Sequence, residues 1–255
     1  MSSVEVRAAE VALHRRAAWA CAAAPGRFRV WEHVGVLAVL AEDPALGFLS
    51  SVSGVGPDTL PEAIRLADAP VWGTVAPTLV VPVGLGGAAL SGAGFTRVGQ
   101  RPLAIAPVPA STAPESDVVA ADGSFADVLL AGYEVDGPVA AFIRAEHRLA
   151  TVRGLFLMRA GSPIAAAAMS LHGDVAVLGG ASTLREHRGR GAQTRLLRHR
   201  LHLAAEAGAT LAVATAAAGS ASAANLRAAG FALHERLAWR RPRTPGSTPA
   251  PGGRG

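Results

Sequence analysis

Lysine is absent from the 255-residue sequence, and all 24 of its basic residues are arginines. With 19 acidic residues, they give a formal charge of +5 and an isoelectric point of about 11.0. Cys21 is the only cysteine, which excludes an internal disulfide framework and a metal site built from several cysteines. No apolar run approaches the ~20 residues that a bilayer span needs. We therefore expect neither a disulfide-stabilised scaffold nor a membrane protein.

Aromatic residues are also scarce, at 5% of the chain, and Tyr133 is the only tyrosine. Nucleic-acid-binding surfaces combine a large basic excess with aromatic stacking platforms. A charge of +5 is modest for this length, and no stacking motif accompanies the arginines at 185, 188, 190, 195, 198 and 200. We therefore expect no nucleic-acid partner.

An alanine-rich run at 17–24 follows two arginines near the start of the chain. The run contains Trp19 and is interrupted by Pro25 and Gly26, so it does not fit the apolar segment of a secretory signal. We expect a cytoplasmic protein.

The composition divides the chain into four parts. Half of the residues are hydrophobic and 17% are charged, which is typical of a folded protein. Proline and serine cluster at 107–114, as in a linker, and the sequence after Arg241 has the proline- and glycine-rich composition of a disordered tail. We predict a first lobe at 1–108, a linker at 109–114, a second lobe at 115–241 and a disordered tail at 242–255.

Helical and strand-like segments alternate in both halves. In the second half, the apolar spacing predicts a broken helix at 124–152, strands at 155–158, 164–171 and 175–184, a helix from about 193 to 207, a strand at 211–215, a helix at 221–229 and a strand at 231–239. The first half repeats part of this order, with strands at 47–55 and 78–83 around a helix at 59–67. The sequence L-S-G-A-G-F at 90–95 matches L-R-A-A-G-F at 226–231, so we interpret the halves as related α/β units.

The segment at 183–194 carries the clearest chemical signal, because a strand enters a glycine-bearing turn that opens an amphipathic helix. The first N–H groups of a helix lack internal partners, and the helix dipole is positive there, so this arrangement predicts an anion site. Arg188 and Arg190 add charge that pairs with phosphates. The spacing matches neither a Walker-type loop nor a G-x-G-x-x-G fingerprint, which disfavours a nucleoside triphosphatase and a Rossmann dehydrogenase.

The run R-G-R-G-A at 188–192, the helix behind it and the later N-x-x-x-x-G-F resemble the GNAT acyltransferases, whose pyrophosphate loop reads R/Q-x-x-G-x-G/A. Arg188 and Gly191 match the first two fixed positions of that loop, and Gln193 replaces the last small residue. The resemblance implies a mixed central sheet flanked by helices, in two tandem lobes. The first lobe is similar to a degenerate copy, because its equivalent loop at 54–59 has no arginine.

The resemblance further implies acetyl transfer from acetyl-CoA to a primary amine of a small molecule or a protein, without a metal. By the same resemblance, the strand end binds the pantetheine arm, the loop N–H groups hold the pyrophosphate, and a backbone N–H near Thr183 polarises the thioester carbonyl. Asn225 matches a position that contacts the cofactor arm, or is alternatively a helix-start residue. The cofactor-binding residues implied are Ser182, Thr183, Leu184, Arg188, Gly189, Arg190, Gly191, Ala192, Gln193, Thr194 and Asn225.

The acid and base of the reaction are left unassigned. Relatives often carry a tyrosine one residue after the position of Asn225, and this sequence has Leu226 there. The proton donor to the leaving thiolate is then water, Tyr133 or Ser220.

Candidate bases are Glu186, Asp174 and His172, each with a plainer interpretation. Glu186 fits an ion pair with Arg185 or Arg190 better than the role of a base, and His172 and Asp174 flank Gly173 in what reads as a hairpin turn.

The histidines at 187, 199 and 202 lack the acidic or thiol partner that a metal site needs, so we predict that they are exposed.

Two alternatives stand beside the acetyltransferase: a non-catalytic acyl-CoA-binding protein of the same fold, suggested by the missing tyrosine, and the disfavoured nucleic-acid binder. The acceptor is expected to be a small-molecule or peptide amine, and the chain a monomer or homodimer.

Overall fold

The structure, a computed structural model, describes residues 2–24, 27–110 and 113–242. Two β-sheets of six and seven strands form its centre, and helices pack against both, which confirms the predicted mixed α/β fold with two lobes. No helix in these ranges is long and apolar enough to cross a membrane. The predicted disordered tail lies outside the described residues from 243 onward, and so do residues 111 and 112 of the predicted linker.

The first sheet surrounds a core that includes the fully buried Trp72, Leu79 and Leu90. Its strands, in spatial order, are β1 (Phe28–His33), β2 (Val36–Ala41), β3 (Ser51–Ser53), β4 (Thr78–Pro82), β13 (Arg236–Arg240) and β5 (Thr96–Gln100). β3 and β4 pair in parallel, and the other neighbours in this sheet are antiparallel. The helices α2 (Leu60–Asp68) and α3 (Gly87–Gly92) belong to this lobe.

The second sheet contains, in spatial order, β12 (Ala232–His234), β6 (Leu103–Pro107), β11 (Leu211–Thr215), β10 (Val175–Thr183), β9 (Ser162–His172), β8 (Arg153–Arg159) and β7 (Val118–Ala120). It is antiparallel except for the pair β10 and β11. Its helices are α4 (Phe125–Tyr133), α5 (Gly137–His147), α6 (Ala192–Glu206) and α7 (Ala221–Ala228), and it also receives the N-terminal helix α1 (Ser3–Ala22).

The central strand β9 is rich in alanine, and its small side chains alternate between the two faces of the sheet, as the pleat requires. Ala165 and Ala167 pack with the leucines of α6, whereas Ala166 and Ala168 pack with Phe125 and Leu129 of α4. The helices α6 and α4 therefore cover opposite faces of the same strands. α1 packs on β10 and β11 through its alanines.

The two sheets exchange one strand each. β6 comes from the first half of the chain but lies between β11 and β12 of the second sheet, where it pairs with both. β13 comes from the end of the chain but lies between β4 and β5 of the first sheet. The linker predicted at 109–114 therefore does not separate the residues of one sheet from those of the other. The lobe limits of 1–108 and 115–241 stay a prediction.

Two predicted strands differ from the structure. The single strand predicted at 231–239 is two strands, because the chain passes from the second sheet to the first at Glu235. The strand predicted at 47–55 is a 3-10 turn (Pro44–Leu49) followed by the short β3, since Asp43 caps the turn and Pro44 occupies its first position. Alternating apolar residues do not reveal which sheet a strand joins.

The pair β10 and β11 opens along its length. Their pairing is confined to Val175–Val177, opposite Leu211–Val213, although β10 continues to Thr183. β10 stays paired with β9 throughout, with a register shift between Gly179 and Ala181. One edge of β10 is therefore open from Leu178 onward, and this edge leads directly to the loop at 184–191.

Candidate functional site

The open edge of β10 presents backbone N–H groups. The Leu184 N–H donates to the Ile164 carbonyl on β9 at 3.0 Å. Because backbone groups alternate in direction along a strand, the N–H groups of Thr183 and Ala181 point away from β9, toward the open edge. The bulge residue Gly180 has φ +62°, a conformation that favours glycine.

In the loop after β10, the backbone N–H groups of six successive residues, 189–194, have no backbone acceptor in the described chain. Gly189 and Gly191 have φ +74° and +77°, and α6 begins at Ala192 without a side-chain cap. The Arg195 N–H is bonded to the Gly191 carbonyl at 3.2 Å, so the helix ladder starts only after this row. Uncapped N–H groups at the positive end of a 15-residue helix form an anion-binding cradle.

Arg188 holds the loop in place. Its guanidinium donates to the Thr183 carbonyl at 3.2 Å and to the Gly132 carbonyl at 2.7 Å, and it forms a 2.8 Å ion pair with Glu134. These contacts join the loop to the end of α4. In the described residues, Arg185 and Arg190 are exposed and have no ion-pair partner, so they are the side chains of this loop whose charge is uncompensated.

Gln193 has a structural reason to occupy the last motif position. Its Nε2 donates to the Ser182 carbonyl at 2.8 Å and to the Thr183 Oγ1 at 2.9 Å, which ties the first turn of α6 to the end of β10. The buried Ser182 Oγ donates in turn to the Leu129 carbonyl of α4 at 2.8 Å. Leu184 is half-buried and begins the turn Arg185–His187.

The end of α4 lies directly on the open part of β10. A Cβ added at Gly132 would overlap the Ser182 side chain, so glycine permits the close approach. The next residue, Tyr133, accepts a 2.8 Å hydrogen bond from the Ala181 N–H. Burial raises the pKa of Tyr133, although 37% of the residue remains exposed. Sequence reasoning did not place this tyrosine, because nothing in a helix pattern indicates which strand residue it reaches.

Two further side chains lie near the bulge. A Cβ at Gly180 would overlap His147 Nε2, an atom without a hydrogen-bond partner in the described chain. Burial lowers the pKa of His147, whose side chain is 3% exposed and whose Nδ1 lies 2.8 Å from the Ile143 carbonyl. On the other face, Arg200 of α6 is 5% exposed and donates to the Ala168 carbonyl at 3.3 Å.

The helix α7 has Ser220 at its N-cap and both Asn225 and Leu226 in its body. Ser220 caps it by accepting from the Ala223 N–H at 3.2 Å, so the helix-start role belongs to Ser220 and not to Asn225. Asn225 is half-buried in the body of the helix. Leu226, at the position where relatives carry a tyrosine, is 5% exposed and packs in the core around β10 and β11.

Two of the three candidate bases lie far from the loop. His172 and Asp174 flank the turn at the start of β10, and the nine residues of that strand span about 30 Å. His172 is buried against Trp19 at a ring-centroid distance of 4.5 Å, and burial lowers its pKa to about 4. Asp174 accepts from the Thr210 hydroxyl at 2.9 Å. Both therefore have structural roles, and neither reaches the open edge of β10.

Glu186 remains next to the loop and is exposed. Its described ion-pair partner is His187, at 3.9 Å, and neither Arg185 nor Arg190 pairs with it.

The prediction of exposed histidines on α6 is wrong for His199, which is buried and whose Nδ1 accepts from the Glu115 N–H at 3.2 Å. His202 is half-buried beside Glu206 at 3.4 Å. Within the described ranges, no group of three or more histidine, cysteine or acidic side chains is arranged to hold a metal.

The equivalent loop of the first lobe, at 54–59, is occupied by its own contacts. The Gly56 N–H donates to the Thr59 hydroxyl at 2.8 Å, and Arg7 donates to the Gly54 carbonyl at 3.0 Å. Pro57 has no N–H to offer. This loop therefore differs from the free cradle in the second lobe.

The sequence model of the acetyltransferase (GNAT) family matches residues 123–231. The match begins just before α4 and ends just after α7, so it includes the loop, the open part of β10 and the helix that carries Asn225. No sequence among the curated proteins matches the chain.

Similar solved structures cover nearly the whole chain. A GCN5-related N-acetyltransferase from Kribbella flavida is 23% identical with a TM-score of 0.59, over 91% of this chain and 96% of that one. A tandem GNAT protein from the clavulanic acid biosynthesis pathway is 15% identical with a TM-score of 0.55, over 94% and 95%. A GCN5-related N-acetyltransferase from Sphaerobacter thermophilus is 14% identical with a TM-score of 0.54, over 84% and 75%. At these identities the structures show a shared fold in both lobes.

Proposed function

Residues 123–231 form a domain of the GNAT acetyltransferase family, and from this premise we propose that the chain transfers an acetyl group from acetyl-CoA to a primary amine of a small molecule or a peptide. The observation that carries the proposal is the row of free N–H groups at 189–194, placed immediately after the open end of β10. A pyrophosphate fits such a row, since each N–H donates to an anionic oxygen and the helix dipole favours the charge.

The proposed cofactor contacts fall into two groups. The loop residues Gly189–Thr194 hold the pyrophosphate through their N–H groups, with Arg190 adding an uncompensated charge. Arg188 acts as a positioning residue, because its guanidinium already binds Thr183, Gly132 and Glu134. The strand end at 182–184 and Asn225 line the path of the pantetheine arm.

The thioester is activated from the open edge of β10. The Thr183 N–H faces that edge, so it supplies the donor that polarises the thioester carbonyl. The neutral amine then attacks the carbonyl carbon, and the thiolate leaves. Acetyl-CoA is a co-substrate here, and no metal takes part in the proposed chemistry.

The arginines of 185–200 support a local rather than a nucleic-acid-binding role. Arg188 pairs with Glu134, Arg195 pairs with Glu115, and Arg200 is buried. The positive charge that remains is concentrated around the loop.

A non-catalytic acyl-CoA-binding protein is the second candidate, and the buried Leu226 at the usual tyrosine position favours it. Purified protein, acetyl-CoA and a panel of amines (spermidine, kanamycin, lysine methyl ester and phenylethylamine) distinguish the two by release of free thiol. The acetyltransferase releases thiol faster with at least one amine than without. Binding of acetyl-CoA by calorimetry with no amine-dependent release supports the second candidate, and no binding at all contradicts both.

A further inference from the structure

Arg200 is a buried cation without a carboxylate. It is 5% exposed, and its guanidinium donates to two neutral carbonyls, those of Leu196 at 3.2 Å and Ala168 at 3.3 Å. No acidic side chain of the described residues forms an ion pair with it, and burial lowers its pKa to about 10. A buried charge that lacks a counter-ion is strongly unfavourable, so its retention requires an explanation.

The guanidinium lies at the bulge of β10. Ala168 is the residue of β9 opposite Gly179, where the register shifts. Arg200 approaches this point from the face covered by α6, and Tyr133 approaches it from the face covered by α4. The acidic group that interacts electrostatically with Arg200 is the Tyr133 phenol, whose pKa the cation lowers against the opposing effect of burial.

The phenol has a proton to give. Its oxygen accepts from the Ala181 N–H at 2.8 Å, and in the described chain its own hydroxyl has no acceptor. Ala181 lies on the open edge of β10, two residues or about 7 Å further into the cleft than Thr183. A pantetheine arm that follows this edge inward from the loop brings its sulfur toward Tyr133.

We propose that Tyr133 protonates the departing thiolate of CoA, and that Arg200, on the other face of the bulge, stabilises the negative charge that this step leaves on the phenol. The inference rests on the proposed function. It places the general acid on α4, whereas relatives often carry a tyrosine at the position that Leu226 occupies in this chain.

The amine nitrogen forms a bond to the thioester carbonyl carbon, and the carbon–sulfur bond breaks with its electron pair on sulfur. The Tyr133 hydroxyl proton moves to that sulfur and gives the free thiol. The proton lost by the amine nitrogen returns to the phenolate through solvent, so the enzyme is regenerated. Arg200 keeps its proton throughout and acts as a positioning residue.

Charged groups approach Tyr133 from several elements. The next residue, Glu134, forms an ion pair with Arg188, which also donates to the Gly132 carbonyl. Helix α5 presents Glu146, which raises the pKa of the phenol, and the neighbouring His147, whose own pKa burial lowers. Strand β8 has arginines only at its ends, 153 and 159, β9 has only His172 at its far end, and β10 has no ionisable side chain. Arg200 is the cation whose charge lowers the pKa of the phenol.

Turnover is the first test, with thiol release measured for the wild type, Tyr133→Phe, Arg200→Met and Arg200→Lys. We expect Tyr133→Phe to lower kcat about 100-fold, with the affinity for acetyl-CoA within about twofold of wild type. Arg200→Met is expected to lower kcat at least about 10-fold, and Arg200→Lys, which keeps the charge, to recover most of that loss. Equal kcat in Tyr133→Phe and wild type overturns the assignment.

The second test uses the fact that Tyr133 is the only tyrosine. Phenolate absorbance in the near ultraviolet reports its ionisation alone, without assignment. Incorporation of 3-fluorotyrosine lowers the midpoint of all three proteins into the range where they stay folded. We expect the midpoint of Arg200→Met to lie above that of wild type, because the cation that lowers the pKa of the phenol is removed, and the midpoint of Arg200→Lys to lie close to that of wild type. Identical midpoints in all three overturn the role of Arg200.

The tests separate this inference from the proposed function. If the wild type binds acetyl-CoA and releases thiol, and Tyr133→Phe is equally active, the result supports the proposed acetyltransferase and contradicts the role of Tyr133 as general acid. A wild type that neither binds acetyl-CoA nor releases thiol contradicts both. A purely structural role for Arg200 predicts a lower Tm in Arg200→Met with an unchanged phenolate midpoint, and this result also overturns the inference.

Discussion

His14 is a neutral residue in a charged neighbourhood. It lies on α1, buried, with Nε2 at 3.0 Å from the Ser53 hydroxyl of the first sheet. Burial, together with the nearby Arg236 and Arg7, lowers its pKa to about 4. In an unfolded chain the same imidazole has a pKa near 6.5. Between about pH 6.5 and pH 4, the unfolded chain therefore binds a proton at His14 and the folded protein does not.

Above about pH 6.5 both states are neutral at His14 and its contribution to stability is complete, and as the pH falls toward 4 the unfolded state is increasingly favoured. We expect the free energy of unfolding to fall by up to about 1.4 kcal/mol per pH unit for this residue, with His172 acting in the same direction. Urea unfolding at pH 7 and pH 5 measures the difference.

His14→Gln is expected to reduce the change of the free energy of unfolding with pH. His33 is exposed, so His33→Gln serves as the matched control and is expected to keep the wild-type pH dependence. A His14→Gln protein with the full wild-type slope would contradict the buried, neutral assignment.

At the scale of elements, β10 and α6 show what sequence patterns determine. The glycines of the loop and the leucine stripe of α6 are local signals, so the strand, the turn and the helix are predicted within a few residues of their observed bounds. Arg188 and Gly191 follow from the same pattern. Local sequence patterns do not predict the open edge of β10, because pairing with β11 depends on residues more than 30 positions away.

The residues whose contacts sequence reasoning did not predict act across elements. Tyr133 reaches β10 from α4, and Arg200 lies on the apolar face of α6, four residues after Leu196 and four before Ala204. Helical periodicity places Arg200 on this buried face, but it does not reveal the β9 carbonyl that the guanidinium reaches. The prediction that His199 is exposed was wrong because helical periodicity does not reveal Glu115, whose N–H donates to this histidine.

At the scale of the whole molecule, the exchange of β6 and β13 makes each sheet depend on the other half of the chain. Without β6, the second sheet would lose the strand between β11 and β12, and the apolar residues Leu103 and Ile105 that pack beneath α1. The sequence did not predict this exchange, since the repeat at 90–95 and 226–231 marks similar units without indicating where their last strands insert.

We expect a fragment of residues 109–242 to show no cooperative unfolding transition when expressed alone, because an internal strand of its sheet is missing. Co-expression with residues 1–108 is expected to restore the transition, monitored by circular dichroism in a thermal scan. A fragment that unfolds cooperatively by itself and binds acetyl-CoA as the full chain does would show that the exchanged strand is dispensable.

The central claim is that the loop opening α6 binds the pyrophosphate of acetyl-CoA, and two glycines allow a matched test. Gly191 and Gly208 flank α6, have φ +77° and +75°, and have no atom within 4 Å of an added Cβ. Aspartate is among the residues that best tolerate such a conformation, so its backbone strain is similar at both positions. The helix separates them by about 22 Å.

Calorimetric titration of acetyl-CoA into the full-length wild type, Gly191→Asp and Gly208→Asp is the most direct measurement. The carboxylate at 191 repels the phosphates and fills their approach, so we predict a loss of affinity of at least about 100-fold, or roughly 2.7 kcal/mol. Gly208→Asp is predicted to bind as the wild type does. A folded Gly191→Asp protein with wild-type affinity would contradict the account.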